Sequence, residues 1–521
     1  MKNGTPKSRF PRAAKDLGPW LAALKDKYAA ESASISFLAV LALVSALIIQ
    51  EDINISFFLG SYFLSLVVFF IFFKDIKRYK PAFINEHKMV LLIGLLLVST
   101  LFIGKMFEYL NMSMGRGMGF PDGITAMFGT PIPVGAMLVA LIFDFHAALM
   151  FSLVISLLTG VWFHNPYVPV YIFIGSLTAA FSVIRCKKRS ALIRGGFCVS
   201  MVNIVTAGII LLLTSNLFTA AAPAGIFFAV ASGFFVMALV SIMLPLIEYF
   251  FSISTDISLL ELLDLGQPLM KSLMINAPGT YHHSIIVGNL AEAAAEVVGA
   301  NPLLARVTAY YHDIGKIKMP EYFVENQQGS ANRHEKLAPH MSAMILVSHV
   351  KEGTELARQH KLPKSVIDII QQHHGTRLMN FFYQKAKDQS SSANMDEYRY
   401  AGPKPQTRVA ALVMMADAVE AAARALTEPT SARISALVEK IINDIFLDGQ
   451  IDECELTLKD MSEIKKRFTF VLNSIFHKRI EYPDVELKAQ HHRAEHTTDK
   501  TSHNNGNSGK ELPKIDKSKS A

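Results

Sequence analysis

The segment AYYHDIGKIKMPEYFVENQ, residues 309–327, places His312 directly beside Asp313 at the end of an apolar stretch. From residue 276 to about 482, apolar residues recur at three- and four-residue spacing, which is typical of amphipathic helices. Strand signals are nearly absent from this region, and Pro and Gly divide it into helices of ordinary length. The C-terminal half is therefore predicted to be an all-α globular domain.

The N-terminal half carries almost all of the long apolar runs in a chain of 521 residues, of which 51% are hydrophobic. A membrane-spanning helix needs about 20 largely apolar residues. These runs are apolar all round, whereas core helices of a soluble protein usually keep a polar face. Eight runs are candidates for spans: 33–50, 55–74, 88–106, 124–143, 147–163, 167–184, 194–214 and 224–250.

The short loops predict the orientation of these spans. The N-terminal tail, KDIKRYK (74–80) and RCKKRS (185–190) are basic, and they share one side if all eight spans are real. Basic loops face the cytoplasm, so both termini are expected there. The net charge of +7 comes largely from these clusters, which fits a lipid bilayer as partner and no nucleic-acid polymer. Lys105 and Glu108 are expected at the end of a span, which leaves no chain of buried charges for a transport path.

The predicted fold class is all-α, a polytopic helical membrane bundle followed by a cytoplasmic all-helical domain. The divisions expected along the chain are a basic tail (1–32), a bundle of about eight helices (33–250), connector helices (251–275), a metal-binding domain (276–487) and a disordered polar tail (488–521). The three cysteines are isolated and support neither a disulfide framework nor a thiolate metal site.

The C-terminal half is rich in histidine, and a subset has the context of inward-facing side chains. His283 shares a helical face with Val287, Leu290 and Ala294, whereas His282 points about 100° away. Several buried imidazoles and two carboxylates would all need partners, and a divalent metal pair would satisfy them together. Imidazole and carboxylate without thiolate suit Fe, Mn, Co, Ni or Zn. His334, His340 and His360 are expected to be more exposed.

The phrases YHHSIIVGNLAEAAAE, AYYHDIGKIKMPEYFVENQ, LVSHVKEG, IIQQHHGT and MMADAVEAAAR form an ordered H…HD…H…HH…D series. This series closely resembles the HD superfamily, and the chain looks like the bacterial seven-transmembrane HD phosphohydrolases, the PgpH-like cyclic-di-AMP phosphodiesterases. The resemblance covers residues 255 to 482 and extends to the transmembrane block. It implies a multi-pass protein of the bacterial plasma (inner) membrane with a metal-dependent hydrolase domain.

The resemblance also implies a ligand set and two divalent transition-metal ions, with Mn or Fe favoured. One ion would be held by His283, His312, Asp313 and Asp417. The second would be held by His349, His373 and His374, with the Asp313 carboxylate bridging the two. His282 matches a family position without being a ligand, and His340 remains a rival to His349 on spacing alone.

A metal pair of this kind supplies an activated water and polarises a phosphoryl oxygen, so hydrolysis of a phosphodiester is expected. Asp313 and Lys316 are the expected catalytic residues, and Lys316 could donate to a phosphate oxygen. A solvated lysine after a helix end is the alternative for Lys316. Tyr400 and Arg408, in the Pro-rich segment YRYAGPKPQTR (398–408), are candidates for contacts with the nucleotide, and an ordinary surface loop is the alternative.

The substrate expected from the resemblance is cyclic-di-AMP, opened to linear 5′-pApA. HHGT (373–376) is not followed by the Gly-Tyr-Pro signature of HD proteins that prefer cyclic-di-GMP. Many relatives carry a large extracellular domain after the first membrane helix, but here that position offers only residues near 51–54. Two alternative functions are left open, an HD hydrolase of cyclic-di-GMP or (p)ppGpp and a non-enzymatic receptor with an HD relay. The oligomeric state is also left open, with a homodimer as the candidate.

Overall fold

The computed structural model describes residues 35–50, 54–80, 87–119, 127–184, 186, 188–219, 221–327, 332–390 and 393–476. The predicted basic N-terminal tail and the predicted polar C-terminal tail lie outside the described residues.

Eight apolar helices occupy the described part of the chain up to Phe251. Five of them, α2, α3, α5, α7 and α8, are long and apolar enough to cross a membrane, and the other three are shorter. The eight helices are α1 (Ile35–Ile49), α2 (Ile55–Tyr79), α3 (His87–Gly117), α4 (Pro133–Ile142), α5 (Phe145–Phe163), α6 (Tyr167–Val183), α7 (Ser190–Leu213) and α8 (Ala221–Phe251). The chain is therefore a membrane protein.

Helix α3 extends beyond the span expected from hydropathy. The predicted span stops at residue 106, whereas the helix continues to Gly117. Glu108 consequently lies on a helical segment within the bundle, with only 4% of its surface exposed. The carboxylate is tolerated there because Lys105 Nζ lies 2.8 Å from its Oε2 atom and Trp162 Nε1 donates to the same oxygen at 3.1 Å.

The C-terminal domain is helical throughout its described residues, with no strand and one isolated bridge between Leu378 and Arg399. Two short helices connect it to the bundle, α9 (Asp256–Leu262) and α10 (Pro268–Asn276). The remaining helices are α11 (Pro278–Val298), α12 (Pro302–Tyr311), α13 (Pro339–Gln359), α14 (Lys364–Gln372), α15 (Asn380–Gln389), α16 (Arg408–Arg424), α17 (Ser431–Leu447) and α18 (Leu458–Ile475), with 3-10 turns between α12 and α13.

Helices α11 and α16 form the centre of this domain. Val287, Leu290 and Ala294 of α11 are fully buried, as the helical periodicity predicts. In α16 every residue from Ala410 to Ala416 is buried, so this helix passes through the core rather than along its surface. Because the two helices pack together, His283 of α11 is brought beside Asp417 of α16.

The bundle is tied to the connector by side chains. Arg189, immediately before α7, donates from Nε and Nη2 to the two carboxylate oxygens of Glu261 in α9, at 2.6 and 3.0 Å. The planar match of guanidinium and carboxylate fixes the direction as well as the distance of the Arg189–Glu261 pair. Ser254, after α8, lies within hydrogen-bond distance of Ser365 in α14, with 2.9 Å between the hydroxyl oxygens.

Candidate metal centre

Seven histidine and aspartate side chains from five parts of the C-terminal domain meet at one place. They form two groups that share Asp313, and within each group the potential ligand atoms all lie within 4.8 Å of one another. The first group is His283, His312, Asp313 and Asp417, and the second is Asp313, His349, His373 and His374. The structure therefore brings together all the residues expected to hold metal.

Asp313 stands between the two groups and presents a different oxygen to each. Its Oδ2 atom lies 3.1 Å from His312 Nε2 and 3.6 Å from His283 Nε2. Its Oδ1 atom lies 3.3 Å from His349 Nε2 and 3.6 Å from His373 Nε2. The carboxylate is 1% exposed, so these nitrogens, not water, surround it. A carboxylate in this arrangement can bridge two cations.

Asp417 closes the cluster on the side of α16. Its Oδ1 atom lies 3.0 Å from His283 Nε2, and its Oδ2 atom lies 3.6 Å from His374 Nδ1. His312 Nε2 is 3.8 Å from the same Oδ1 atom. Asp417 thus contacts histidines of both groups.

Four of the imidazoles are oriented by hydrogen bonds from the Nδ1 atom. His312, His349 and His373 direct Nδ1 to the carbonyl of the residue three positions earlier, at 2.6, 2.5 and 2.8 Å. His283 directs Nδ1 to Glu420 Oε2 at 2.5 Å. Carbonyl and carboxylate oxygens only accept, so Nδ1 carries the proton in each ring. In the neutral imidazoles Nε2 therefore turns a lone pair toward the cluster, the tautomer that a metal ligand requires.

Several nitrogen and oxygen atoms at the centre of the cluster have no hydrogen-bond partner among the described residues. His312 Nε2 and both Asp313 oxygens are buried without a hydrogen bond, although Lys316 approaches Oδ2 as an ion pair. The Nε2 atoms of His349 and His373 face each other at 3.3 Å. Orphaned buried acceptors are costly, and facing lone pairs repel unless a cation lies between them. This donor set of imidazoles and carboxylates fits the binding of divalent metal ions.

The electrostatics of the cluster favour positive charge at its centre. Burial alone would raise the pKa of Asp313, but His312 and Lys316 hold it well below its usual range. Burial lowers the pKa of His349 to about 3, so this ring stays neutral as a ligand must. Burial also opposes charge on His312, yet Asp313 raises the pKa of His312 to about 10. The carboxylates thus favour a positive charge at the centre of the cluster. A divalent metal ion can supply that charge in place of the proton on His312.

Lys316 lies beside the cluster with its side chain 12% exposed, which contradicts the alternative of a solvated lysine. Its Nζ atom lies 2.7 Å from Asp313 Oδ2 and 2.8 Å from Glu325 Oε1, and 4.9 Å from the ring centroid of Phe323. Burial would lower the pKa of Lys316, but the two carboxylates raise it above its usual value. The ammonium is therefore a fixed positive charge at the edge of the centre.

The two residues expected to contact a nucleotide lie in different places. The Tyr400 ring stacks on His374, with 4.2 Å between centroids and 27° between planes, so it flanks the cluster. Arg408 Nη1 instead donates to the carbonyl of Val298, the last residue of α11. His283 is fifteen residues earlier on that helix, or about 22 Å at 1.5 Å per residue. Arg408 therefore lies away from the metal cluster, because the start of α16 faces the far end of α11.

The histidines left outside the ligand set are also separated by the structure. His282 is exposed, and His340 is half exposed near Glu397, whereas His349 is buried in the cluster. His334 was expected to be exposed and is instead 5% exposed, because its Nε2 atom bonds the carbonyl of Tyr322 at 2.7 Å and aromatic rings cover it.

Sequence reasoning missed two carboxylates that support the centre. Glu420 holds His283 and is itself held by Arg424 Nη2 at 2.5 Å. Glu325 receives the Lys316 ammonium and the Thr280 hydroxyl. The signal for Glu420 was present, since it follows Asp417 by three residues on the same face of an otherwise apolar helix. Nothing comparable marks Glu325, which lies in a 3-10 turn.

Comparison with known proteins agrees with this arrangement. Residues 55–255, which contain α2 to α8, match the family described as 7TM receptor with intracellular HD hydrolase. Residues 280–422 match the HD domain family.

Curated relatives extend the similarity. The chain is 36% identical over 441 residues to the cyclic-di-AMP phosphodiesterase PgpH of Bacillus subtilis, covering 83% of this chain and 60% of the relative. It is 41% identical over 338 residues to PgpH of Listeria monocytogenes, covering 65% of this chain and 47% of the relative. The chain thus spans about half to three fifths of the length of these relatives.

A solved structure also aligns with the C-terminal domain. The crystal structure of the L. monocytogenes PgpH HD domain is 48% identical, with 41% of this chain and 100% of that chain covered and a TM-score of 0.39. The N-terminal half of the chain is thus similar to the membrane region of seven-transmembrane receptors with an intracellular HD hydrolase, and the C-terminal half is similar to HD domains.

Proposed function

We propose that this protein is a membrane-anchored, metal-dependent phosphodiesterase that hydrolyses cyclic-di-AMP to linear 5′-pApA. The observation that carries the proposal is the placement of Asp313, whose two oxygens face two separate histidine groups. Such a shared carboxylate is the usual means of holding two cations at one phosphoester. The PgpH relatives, named as cyclic-di-AMP phosphodiesterases, support the choice of substrate.

The proposed centre takes two divalent ions, Mn or Fe by the imidazole and carboxylate donors. His283, His312, Asp313 and Asp417 would hold one, and Asp313, His349, His373 and His374 the other. When bound, such ions supply a water nucleophile at neutral pH and polarise a phosphoryl oxygen.

Residues of the chain itself make the other contributions to the proposed reaction. The Nδ1 hydrogen bonds fix the ring planes, so little reorganisation accompanies binding. Lys316 places a permanent positive charge beside Asp313, where it favours an anionic phosphate and the charge that grows in the transition state. The Tyr400 ring, which stacks on His374, offers an aromatic surface for an adenine. In this proposal residues 33–250 anchor the catalytic domain, residues 276–487, at the cytoplasmic side of the plasma membrane.

The test uses the full chain in detergent or nanodiscs, loaded with Mn(II) and incubated separately with cyclic-di-AMP and cyclic-di-GMP. Asp313→Ala removes the shared carboxylate, and His282→Ala is the matched control because that ring is exposed beside a ligand. Linear pApA from the wild type and the control, with none from Asp313→Ala, supports the proposal. Turnover of cyclic-di-GMP alone overturns the substrate and keeps the reaction. No turnover of either by folded, metal-loaded protein favours another phosphoester or a receptor role.

A further inference from the structure

The membrane bundle contains a cavity of about 360 Å³, within the size range of small-ligand sites. It is bounded by the later part of α3, the end of α5, the start of α6 and the end of α7. Its polar lining comes from Glu108, His164, Asn165, Thr214 and Asn216, and aromatic walls come from Phe128, Trp162 and Phe163. A carboxylate and an indole that line one cavity of a membrane protein call for an explanation.

The cavity lies at the end of the bundle remote from the catalytic domain. Helix α7 begins beside Arg189, which pairs with Glu261 of the connector, and its other end, from Ile210 to Thr214, lines the cavity. A helix of 24 residues spans about 36 Å. A compound bound here is therefore separate from the metal centre.

The chemistry of the cavity is that of an ammonium site. Lys105 Nζ lies 2.8 Å from Glu108 Oε2 and 4.9 Å from the centroid of the Trp162 ring. The chain's own ammonium thus shows that this carboxylate and this indole hold a cation together. The indole is fixed in place, because it packs on Gly104, where an added Cβ would lie 3.1 Å from it.

A second observation is a buried polar group without a partner close to the cavity. Asn111 follows Glu108 by one helical turn, is 1% exposed, and its Nδ2 atom has no hydrogen-bond partner in the described part of the chain. This amide lies against Gly129, beside the Phe128 wall of the cavity. A buried amide donor without a partner is costly, so a polar group close to the cavity is left unsatisfied by the described residues.

We propose that this cavity binds a small ligand with an ammonium group and a short apolar body, the ammonium competing with Lys105 for Glu108 and the body packing on Trp162. Two sources supply such a group, a soluble amine and the ethanolamine headgroup of a phospholipid. The site is independent of the proposed hydrolase activity, and its test does not use that activity.

The chain contains two tryptophans, so Trp20→Phe leaves Trp162 as the only indole and a reporter inside the cavity. The full chain is placed in nanodiscs of phosphatidylglycerol, and Trp162 emission is followed during titration with phenethylamine and, as the neutral counterpart, 2-phenylethanol. We expect a saturable shift with the amine only. A parallel preparation with phosphatidylethanolamine added to the nanodiscs tests the headgroup.

Two substitutions should act in opposite directions. Glu108→Gln should weaken amine binding by about tenfold or more, since a charge-assisted contact is lost. Lys105→Met should strengthen it by about threefold, because the competing ammonium is removed. Thr214→Phe, which fills the cavity from α7 and leaves Glu108 intact, should abolish the shift and serves if Glu108→Gln fails to fold.

The outcomes separate the two sources and the alternative. A shift with phenethylamine that Glu108→Gln weakens assigns a soluble amine. A shift already present with phosphatidylethanolamine, and lost in Glu108→Gln, assigns the headgroup. Equal responses to 2-phenylethanol, or an amine response that survives both Glu108→Gln and Thr214→Phe, would show partition into the bilayer and overturn the site. Weaker binding in Lys105→Met would overturn the ammonium assignment.

Discussion

Glu420 holds His283 from the side opposite the metal cluster, with 2.5 Å between Glu420 Oε2 and His283 Nδ1. Both side chains are buried, so the pair is shielded from water and salt. The contact fixes the tautomer and the plane of a proposed ligand that Asp417 contacts from the other side.

Glu420→Gln should therefore weaken metal binding while leaving every proposed ligand in place. The neutral amide keeps the volume but loses the charge that raises the basicity of His283, and such outer contacts are typically worth 10- to 100-fold in affinity. Metal affinity measured by competition with a chelator checks the prediction. Glu428→Gln, at an exposed glutamate, is the control. Equal affinity in both variants would mean that Glu420 merely fills space.

His349 and His340 provide a matched pair on one helix. His349→Ala should lower turnover of cyclic-di-AMP by about 100-fold or more, because one of the groups at Asp313 loses a ligand. His340→Ala should leave turnover within about twofold, since that ring is half exposed and lies 3.9 Å from Glu397, outside the cluster. Initial rates at saturating Mn(II) decide between them, and a comparable loss in both variants would contradict the assignment of His349.

Lys316 is expected to act through charge on the transition state. Lys316→Met should reduce kcat/KM by about 100-fold, a size found when one electrostatic donor is removed. Lys316→Arg should recover only part of this, because the guanidinium is larger than the buried site between Asp313 and Glu325. Unchanged kcat/KM with bound metal would assign Lys316 a purely structural role.

Tyr400 and Arg408 both belong to the segment 398–408 and should differ in effect. Tyr400→Ala should raise KM for the dinucleotide by about tenfold, because an aromatic stacking surface is lost, and Tyr400→Phe should keep KM near the wild-type value. Arg408→Ala should not change KM, since its guanidinium bonds the Val298 carbonyl. A larger increase in KM for Arg408→Ala than for Tyr400→Ala would contradict the assignment of Tyr400 as the residue that contacts the nucleotide.

Gly315, two residues after Asp313, allows the backbone there to come into close contact with α13. An added Cβ would lie 1.9 Å from the His349 carbonyl oxygen and 2.5 Å from the Gly353 nitrogen, both backbone atoms that cannot turn aside. Gly315→Ala should therefore lower the free energy of unfolding by about 2–4 kcal/mol and move Asp313 away from His349. Gly208→Ala in α7, where no atom lies within 4 Å, is the control. Thermal unfolding followed with and without Mn(II) checks both, and an unchanged melting temperature in Gly315→Ala would show that the turn can shift.

Periodicity and residue type predicted most of the fold and the kind of ligand, whereas the full ligand set was implied by the resemblance to the HD superfamily. The helical spacing around His283 predicted its inward face, and the eight apolar runs correspond to eight apolar helices. These features are local, because a helix repeats every 3.6 residues and a metal accepts few side-chain types. The same rule places His340 and His349, nine residues apart, on opposite faces of α13.

Which of those faces points inward was decided by packing, as were all contacts between residues remote in sequence. Only the tertiary structure turns the two oxygens of Asp313 toward different histidines, brings Glu420 to His283, and carries Arg408 away from the centre. It also buries Glu108, since α3 continues past the end that hydropathy predicts. The sequence by itself determined what the elements are and which chemistry they carry. Their mutual positions depend on side-chain packing between helices, which no local pattern encodes.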